Sequence, residues 1–278
     1  MNVKINKLNE VNIKSFQETV WQFYILNKRL FSWRNNFDPY RIVVSEIMLQ
    51  QTQTFRVEQK FSEFISVFPD FATLAQAEFK DVLTVWQGLG YNRRAQALHK
   101  IAQKVMSEFD GQLPTDPEIL VTLQGIGPNT AGSICAFAFN MPTVFIETNI
   151  RAVFLHKFFQ DREAVHDQEI IPLIEQVLDK KNPREWYYAL MDYGVMLKKL
   201  HNNPARKSKH HTVQSKFEGS NRQIRSMILK LLLKKESMTL KQFFAAINRD
   251  PERIEKIIDN MCKEGLLVQK KNIWYTIK

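Results

Sequence analysis

The sequence has little cysteine: Cys135 and Cys262 are the only two in 278 residues. They lie far apart, each in an apolar stretch with helical spacing. Two thiols cannot form a disulfide framework, and they cannot supply the four thiolates of a cysteine-ligated metal or cluster site. We therefore expect two buried thiols.

Long apolar runs are also missing. No stretch approaches the roughly 18 consecutive apolar residues of a membrane-spanning helix. The first residues, 1–7 (MNVKINK), lack the apolar centre of a secretion signal. We therefore expect a cytoplasmic protein with no membrane partner.

Positive charge and apolar side chains are abundant by contrast. The formal net charge is +10 at pH 7, and 44% of the residues are hydrophobic. A chain of 278 residues with this composition can bury the cores of two or three small domains. The charge favours a polyanionic partner, although many basic proteins use their charge only for solubility.

Apolar residues follow helical spacing from about residue 15 to residue 199, and glycines and capping residues indicate where the helices end. Residues 198–235 then carry eleven Lys or Arg against one acidic residue, Glu218. We interpret this basic connector either as a solvated linker or as a strip that faces phosphates. It also contains three histidines, but no cysteine or spaced carboxylate completes a ligand set, so no metal site is predicted.

A second pattern starts at about residue 221. It predicts a helix at 222–235, a second opened by the capping box 239–242, a third from Asp250-Pro251 to Gly265, and β-rich runs at 266–269 and 273–277. Three helices and a hairpin resemble a winged helix-turn-helix domain, in which one helix usually enters a DNA groove. The alternative is a winged helix that makes protein contacts.

Residues 123–132 (LQGIGPNTAG) have the pattern of a helix, a glycine-containing turn and a second helix. Such a turn offers backbone N–H groups and a helix N-terminus to a phosphate. One carboxylate, Glu46, precedes this segment, and another, Glu147, follows it. The combination leads to the hypothesis of an enzyme that holds DNA, extracts one base and cuts the bond between base and sugar.

Four sequence blocks resemble those of the helix-hairpin-helix DNA glycosylase superfamily, specifically its MutY adenine glycosylase branch beside endonuclease III. The blocks are 45–52 (SEIMLQQT), 86–91 (WQGLGY), 123–132 and 189–194 (ALMDYG), in the family's order. The resemblance implies an all-α, two-lobed helical core followed by a small C-terminal winged helix. The expected domains are 1–29 with 138–212 as one lobe, 30–137 as the lobe with the hairpin, and 220–278 as the winged helix.

The resemblance assigns roles to the first block. Glu46 matches the glutamate that protonates the adenine ring, and Gln50 lies one helical turn further on the same face. Apolar neighbours that face inward would place Glu46 in a partly apolar cavity, where desolvation raises the pKa of a carboxyl and suits it as a general acid. Gln50 and Gln51 match glutamines near the lesion, which read base edges or fill the gap left by an extruded base. A surface carboxylate and a polar helix end are the plainer alternatives.

Glu147 departs from the family, which has Asp at this position. The family's acid stabilises the oxocarbenium-like sugar as the base leaves, and in this chain the carboxylate is moved outward by one methylene, about 1.5 Å. A displacement of that size can cost about 100-fold in rate if the surroundings are unchanged. We expect a pocket that has shifted to suit Glu147, with Asn149 orienting it; a plain helix N-terminal acid is the alternative.

Asn129 stands where endonuclease III-type lyases carry the lysine that forms a Schiff base. Without that amine, the resemblance implies a monofunctional reaction in which water replaces the base and the strand stays intact. The hairpin is expected to bind a phosphate through N–H groups around Gly125 and Gly127, with Thr130 as a further donor. In similar proteins its carbonyls often hold a monovalent cation.

Further DNA contacts are expected outside the hairpin. Tyr91 matches a family tyrosine that wedges into the base stack, with a core tyrosine as the alternative. Positively charged side chains are predicted to contact the DNA backbone. They are Arg93, Arg94, Arg206, Lys207 and Lys209.

Two parts of the family pattern are missing. After residue 194 the family usually supplies four cysteines for an iron–sulfur cluster, whereas this chain has Lys198, Lys199 and a basic run. No cluster and no organic cofactor is therefore expected. The MutY C-terminal domain that reads 8-oxoguanine is replaced by the predicted winged helix, which leaves opposite-base specificity open.

The sequence thus predicts a monofunctional DNA glycosylase of base excision repair. It would flip a mispaired or damaged base, adenine or another purine, out of double-stranded DNA and leave an abasic site. Two alternatives stay open: a non-catalytic lesion sensor or DNA-binding regulator, and a bifunctional glycosylase with lyase activity. A DNA partner implies a nucleoid-associated location.

Overall fold

The computed structural model describes residues 7–276 of the chain. Within them lie fourteen α-helices, two 3₁₀ turns and one three-stranded sheet, which confirms the predicted all-α class with a small mixed C-terminal part. The residue 1–6 part of the expected first domain and the end of the β-rich run at Ile277 lie outside the described residues.

The elements are labelled in chain order. The helices are α1 Glu10–Asn27, α2 Pro39–Leu49, α3 Thr54–Val67, α4 Phe71–Gln76, α5 Phe79–Trp86, α6 Arg93–Glu108, α7 Pro117–Leu120, α8 Pro128–Phe139, α9 Thr148–Phe158, α10 Asp167–Val177, α11 Pro183–Leu200, α12 Asn221–Lys235, α13 Leu240–Ala246 and α14 Pro251–Lys263. The strands are β1 Ser237–Met238, β2 Leu267–Lys270 and β3 Ile273–Thr276, and the 3₁₀ turns are Ser32–Arg34 and Pro204–Lys207.

Contacts divide the chain into two compact units. The first holds the described residues up to Ile42, with Pro114–Thr122 and Ile126–Val213. The second holds Val43–Leu113, Leu123–Gly125 and the described residues from Gln214 onwards. This division differs from the expected boundaries at 29/30 and 137/138. Helix α8 lies within the first unit, where it packs against α7 and α11.

The first unit is built on aromatic packing around α1, α9 and α11. The ring of Phe16 lies 5.7 Å from that of Phe154 and 6.2 Å from that of Trp186. Asp192 on α11 is 2% exposed and accepts four hydrogen bonds from Arg29 and Arg34, at 2.7 to 3.0 Å. Three of these bonds come from guanidinium groups and one from the backbone N–H of Arg29. A buried carboxylate held by two arginines fixes the position of α11 along the core, because losing both would leave a charge buried and unpaired.

The second unit contains helices α3 to α6 and the C-terminal segment. Its helical core includes Phe61, Phe64, Trp86 and Leu98, all fully buried. The sheet has the order β1-β3-β2 and is antiparallel throughout. The two predicted β-rich runs correspond to β2 and β3, whereas β1 was not predicted because its two residues are too short to show alternation.

Side-chain contacts join the C-terminal segment to the helices of the second unit. Gln96 Nε2 donates to the carbonyl of Gly265 at 2.8 Å, and Lys80 pairs with Glu236 at 3.0 Å. The described residues from Gln214 onwards lie in the same compact unit as residues 43–113, and the expected domain at 220–278 stays a prediction.

Two remaining features concern the cysteines and the helix composition. Cys135 is buried, and burial raises its pKa to about 11, whereas Cys262 is only half-buried.

None of the helices between residues 7 and 276 has the length and apolar composition needed to span a membrane.

Candidate active site

Glu46 lies on a stretch of α2 that is otherwise buried. Ser45 beside it is 1% exposed, and Ile47 and Met48 are fully buried, whereas Glu46 itself is half-buried. The backbone of α2 therefore packs against the core on either side of Glu46, whose own side chain is partly exposed. Its role as a proton donor stays a prediction.

Gln50 follows one turn later on α2. Its Nε2 donates to the carbonyl of Gly125 at 3.2 Å. Gly125 has a φ of +84°, and a Cβ added there would lie 2.8 Å from the Cβ of Ala97. Only glycine fits this turn. The carbonyl of Gly125, in the predicted hairpin, therefore already accepts a hydrogen bond from the side chain of Gln50.

Arg94 closes the end of α2 from inside the second unit. It is 9% exposed, and its guanidinium donates six hydrogen bonds of 2.6 to 3.3 Å to protein atoms. The acceptors are the carbonyls of Ile47, Met48, Gln50, Leu89 and Gly90 and the hydroxyl of Thr52. Desolvation lowers its pKa to about 10.

The prediction that Arg94 contacts a phosphate is therefore wrong. Its Nη1 and Nη2 groups are engaged by carbonyls and the Thr52 hydroxyl, Nε is buried without a partner, and burial separates the guanidinium from a ligand at the surface. Arg93, the neighbouring candidate, is exposed at the start of α6, so its predicted phosphate contact stays a prediction.

Gln51 and Tyr91 each follow a carbonyl that Arg94 holds. Both have a left-handed backbone, with φ of +54° at Gln51 and +47° at Tyr91. This conformation costs a side-chain-bearing residue about 1 to 2 kcal/mol and persists where the surroundings enforce it, often at functional sites. Gln51 is exposed, while Tyr91 is half-buried and its hydroxyl accepts a hydrogen bond from Gln214. The wedge role of Tyr91 stays a prediction.

Helix α8 begins directly after Gly127, which is its N-cap residue, with Pro128 in the first turn. Gly127 makes no side-chain cap, and Gly127, Pro128 and Asn129 are exposed. An exposed helix N-terminus of this kind suits a phosphate. The phosphate contacts predicted around Gly127 and Thr130 thus have the right local geometry and stay predictions.

Asn129 has a second contact that its sequence position did not indicate. Its Oδ1 accepts a hydrogen bond from the backbone N–H of Ile146 at 3.0 Å. Ile146 directly precedes Glu147. The residue at the family's lyase position therefore ties the start of α8 to the segment that carries the second candidate carboxylate.

Glu147 is the N-cap of α9. Its Oε1 accepts hydrogen bonds from the backbone N–H groups of Asn149 and Ile150, at 2.8 and 2.9 Å. Its Oε2 accepts one from the Asn149 side chain, Nδ2, at 3.2 Å. Three N–H donors at the positive end of a helix stabilise a negative charge on this carboxylate. Asn149 makes the contact that its predicted orienting role requires, and the plain helix-capping alternative for Glu147 is also met.

Comparison with known proteins finds a family and several relatives. A family model described as "HhH-GPD superfamily base excision DNA repair protein" matches residues 44–180. The adenine DNA glycosylase of Buchnera aphidicola subsp. Baizongia pistaciae is 30% identical over 184 residues, which cover 66% of this chain and 52% of that protein.

The chain belongs to the HhH-GPD superfamily.

Other members of the superfamily are similar over different lengths. The adenine DNA glycosylase of Mycolicibacterium smegmatis is 28% identical over 260 residues, covering 87% of this chain and 89% of that protein. The chain spans about half the length of the first curated relatives that it matches, the two from Buchnera, at 52% and 55%.

Two solved structures show the superfamily fold. A thermostable thymine-DNA glycosylase aligns with a TM-score of 0.61 and 23% identity, over 68% of this chain and 89% of that one. Endonuclease III in a non-covalent DNA complex aligns with a TM-score of 0.57 and 15% identity, over 82% and 98%.

The basic connector of this superfamily member is partly folded. Residues 204–209 pack beside α9: Val165 and Ser208 form a parallel bridge, and Lys209 N–H donates to the carbonyl of Val165 at 3.0 Å. Lys207 donates to the carbonyl of Gln160, while the exposed Arg206 donates to the nearby Asn202 side chain at 3.0 Å. The solvated-linker alternative therefore does not apply to residues 204–209. Arg206 and Lys209 are exposed, so both remain candidates for phosphate contacts.

Two histidines of the first unit lie close together. The ring centroids of His156 and His201 are 4.4 Å apart, and burial, together with the charges of His201 and nearby lysines, lowers the pKa of His156. Across residues 7–276 no cluster of three or more His, Cys, Asp or Glu side chains is arranged to hold a metal.

Lys198 is a site residue that sequence reasoning assigned only to the basic connector. Its Nζ donates to Asn149 Oδ1 at 3.2 Å, so it reaches the residue that contacts Glu147. The only signal in the sequence was its place four residues after Gly194, in the ALMDYG block. Spacing alone did not connect it with Asn149, which is 49 residues away.

Proposed function

We propose that the chain is a monofunctional DNA glycosylase of base excision repair. It flips a mispaired or damaged base, adenine or another purine, out of double-stranded DNA and hydrolyses the N-glycosidic bond. The observation that carries the proposal is the setting of Glu147, whose carboxylate takes three N–H donors at the start of α9 within the region matched by the superfamily. Adenine as the base rests on the names of the relatives.

The reaction needs a proton donor and a stabilised cation. Glu46 protonates a ring nitrogen of the flipped purine, so the base leaves as a neutral molecule with the bonding electron pair of C1′–N. Glu147 stabilises the positive charge that develops on the sugar. Water then attacks C1′ and loses a proton, which leaves an abasic site in an intact strand.

Asn129 supports water as the acceptor. Its amide is no nucleophile, and its oxygen is engaged by the N–H of Ile146. No lysine is therefore available at the position from which the lyases of this superfamily attack the sugar. A cofactor-free reaction without an iron–sulfur cluster, a monovalent cation at the hairpin and a nucleoid-associated location in the cytoplasm belong to the same proposal.

A panel of duplexes tests the proposal. Each duplex carries one altered or mispaired base, including A opposite 8-oxoguanine, A opposite G, hypoxanthine, uracil and T opposite G. Strand breaks revealed by alkali report excision. Wild type should act on one class of duplex, Glu46→Gln should lose the activity, and Glu58→Gln should keep it, because Glu58 is an exposed glutamate of α3.

A non-catalytic lesion sensor is the second candidate function. It is favoured by one observation: the Glu147 hydrogen bonds are also those of a helix cap, which a protein without turnover would keep. The sensor predicts tight binding to one lesion with no product, and equal binding by Glu46→Gln. A strand-cleaving lyase would instead give a borohydride-trapped covalent adduct with DNA.

A further inference from the structure

We propose that Lys198 is a positioning residue for Glu147 and acts through the side chain of Asn149. The inference rests on the proposed function, and its experiments separate the two. Three polar groups form a chain in the first unit: Lys198 Nζ lies 3.2 Å from Asn149 Oδ1, and Asn149 Nδ2 lies 3.2 Å from Glu147 Oε2.

The ammonium group determines which way the Asn149 amide faces. A lysine has only donors, so the amide end that meets Lys198 must be the oxygen. The NH₂ end then points at Glu147 and donates to it. Without Lys198, the amide can rotate and present its oxygen to a carboxylate oxygen, which places two acceptors against each other.

Lys198 lies beside Asn149 because the backbone of α11 packs directly on the start of α9. A Cβ at Gly194 would lie 2.2 Å from the backbone oxygen of Asn149. Lys198 is one helical turn after Gly194 and on the same face. Asp192, held by Arg29 and Arg34, anchors the same helix in the core, so the Lys198 backbone has little freedom to move away.

The extra methylene of Glu147 explains why the contact from Lys198 through Asn149 matters in this chain. A glutamate has one more rotatable bond than the aspartate that the family carries, so its carboxylate needs more restraint to stay in one place. The backbone N–H groups of α9 hold only Oε1. Asn149, set by Lys198, holds Oε2. Lys198 lies in the segment where the family usually has cluster cysteines.

Single-turnover kinetics with excess enzyme give the main test, on the duplex that wild type cleaves. Lys198→Met should lower the rate of base release by about 10-fold to 100-fold, the range expected when a reacting group is displaced by up to about 1 Å. The Kd for the duplex should change less than about threefold, because Lys198 acts on Glu147 through Asn149 and does not bind a DNA phosphate. Lys198→Arg, which keeps the donors, should recover most of the rate.

A double variant tests the route through Asn149. Adding Lys198→Met to Asn149→Ala should not lower the rate of base release further, because the side chain through which Lys198 acts is already absent. Lys14→Met removes one exposed positive charge from α1 of the same unit and should behave as wild type.

A spectroscopic readout does not need turnover. The side-chain amide signal of Asn149 in a ¹⁵N–¹H spectrum, assigned by its loss in Asn149→Ala, should shift in Lys198→Met and return in Lys198→Arg. An inactive wild type with this shift would remove the proposed function and keep the Lys198–Asn149 coupling.

Several results would overturn the positioning role. They are an unshifted amide signal in Lys198→Met, an unchanged rate in an otherwise active protein, a rate loss that adds to that of Asn149→Ala, or an effect on Kd alone with no change in the single-turnover rate. A borohydride adduct that disappears in Lys198→Arg would also overturn it, since Lys198 would then be a nucleophile.

Discussion

The two candidate carboxylates belong to different units of the chain and have different surroundings. Glu147 is held by N–H donors at a helix start, in a chain of polar contacts that extends to Lys198. Glu46 is flanked along α2 by buried residues such as Ser45 and Ile47. The N–H donors at the start of α9 suit Glu147 to a role as an anion. We propose that Glu46 is instead the acid that protonates the leaving base.

The largest effect is expected from removing the acid. Glu46→Gln should lower the single-turnover rate by about 100-fold to 10,000-fold, the usual contribution of a positioned proton donor. Its melting temperature should stay near that of wild type, because a neutral amide suits a partly buried site. Thermal unfolding and base-release kinetics on the same preparation check both statements.

Glu147→Gln should affect both activity and stability, unlike the change at Glu46. It should lower the rate by about 100-fold through loss of the charge and also lower the free energy of unfolding by about 1 kcal/mol, since Glu147 is a helix cap. Chemical denaturation measures the second effect. Equal stability of the Glu46 and Glu147 variants would contradict the difference drawn between their surroundings.

Arg94 and Arg93 separate structure from DNA contact in the second unit. Arg94→Met should destabilise the protein by about 3 kcal/mol, because several buried carbonyls lose their donor together. Arg93→Met should leave the melting temperature unchanged and weaken DNA binding slightly, with a smaller dependence on salt. If the two variants had the same melting temperature, the closing role of Arg94 would be wrong.

Local spacing predicted the glycine turn and the helices, and the family resemblance predicted the mainly helical fold class that the structure shows. The roles of Glu46 and Glu147 stay predictions. The contact between Glu147 and Asn149 is also local, since two residues at a helix start meet whenever that helix forms. Contacts between distant segments were not predictable in this way. Arg94 reaches carbonyls more than 40 residues earlier in the chain, and Lys198 reaches Asn149 across 49 residues.

The error at Arg94 has a physical reason. An arginine beside a glycine-rich loop in a basic protein has the composition of a phosphate contact. Helix α2 ends with carbonyls that have no partner inside the helix, and the Nη1 group of the buried Arg94 guanidinium donates to them. Neither the charge of Arg94 nor the motif around it reveals that these carbonyls need a donor, because Arg94 reaches them only when α2 and α6 pack together.

A moderate effect is expected from the exposed basic residues of the first unit. Reversing Arg206 and Lys209 to Glu should weaken binding to all duplexes, and should reduce the slope of log K against log salt by about 0.9 for each phosphate that the protein no longer binds. Lys14→Glu serves as the charge-matched control. Unchanged affinity and slope in the double variant would remove the connector from the DNA interface.

The smallest effect concerns one histidine in each unit. Burial lowers the pKa of both His99 and His156. The unfolded chain then binds protons more readily than the folded one, so both histidines favour folding at pH above about 6.5, the ordinary histidine pKa, and this stability is lost as pH falls below it. His99→Gln and His156→Gln should each flatten the fall in melting temperature between pH 7.5 and pH 5, scanned at about five pH values. A steeper fall in melting temperature in either variant would contradict a lowered pKa of that histidine in the folded protein.

The mass of the DNA strand after reaction, measured before any alkali treatment, distinguishes base hydrolysis from strand cleavage and from binding without turnover. Hydrolysis at one nucleotide predicts a full-length strand that has lost one base and gained a hydroxyl at C1′, with the free base in solution. Glu46→Gln should return the substrate mass. A strand cut at the lesion, or an unchanged strand from wild type with every duplex of the panel, would contradict the account.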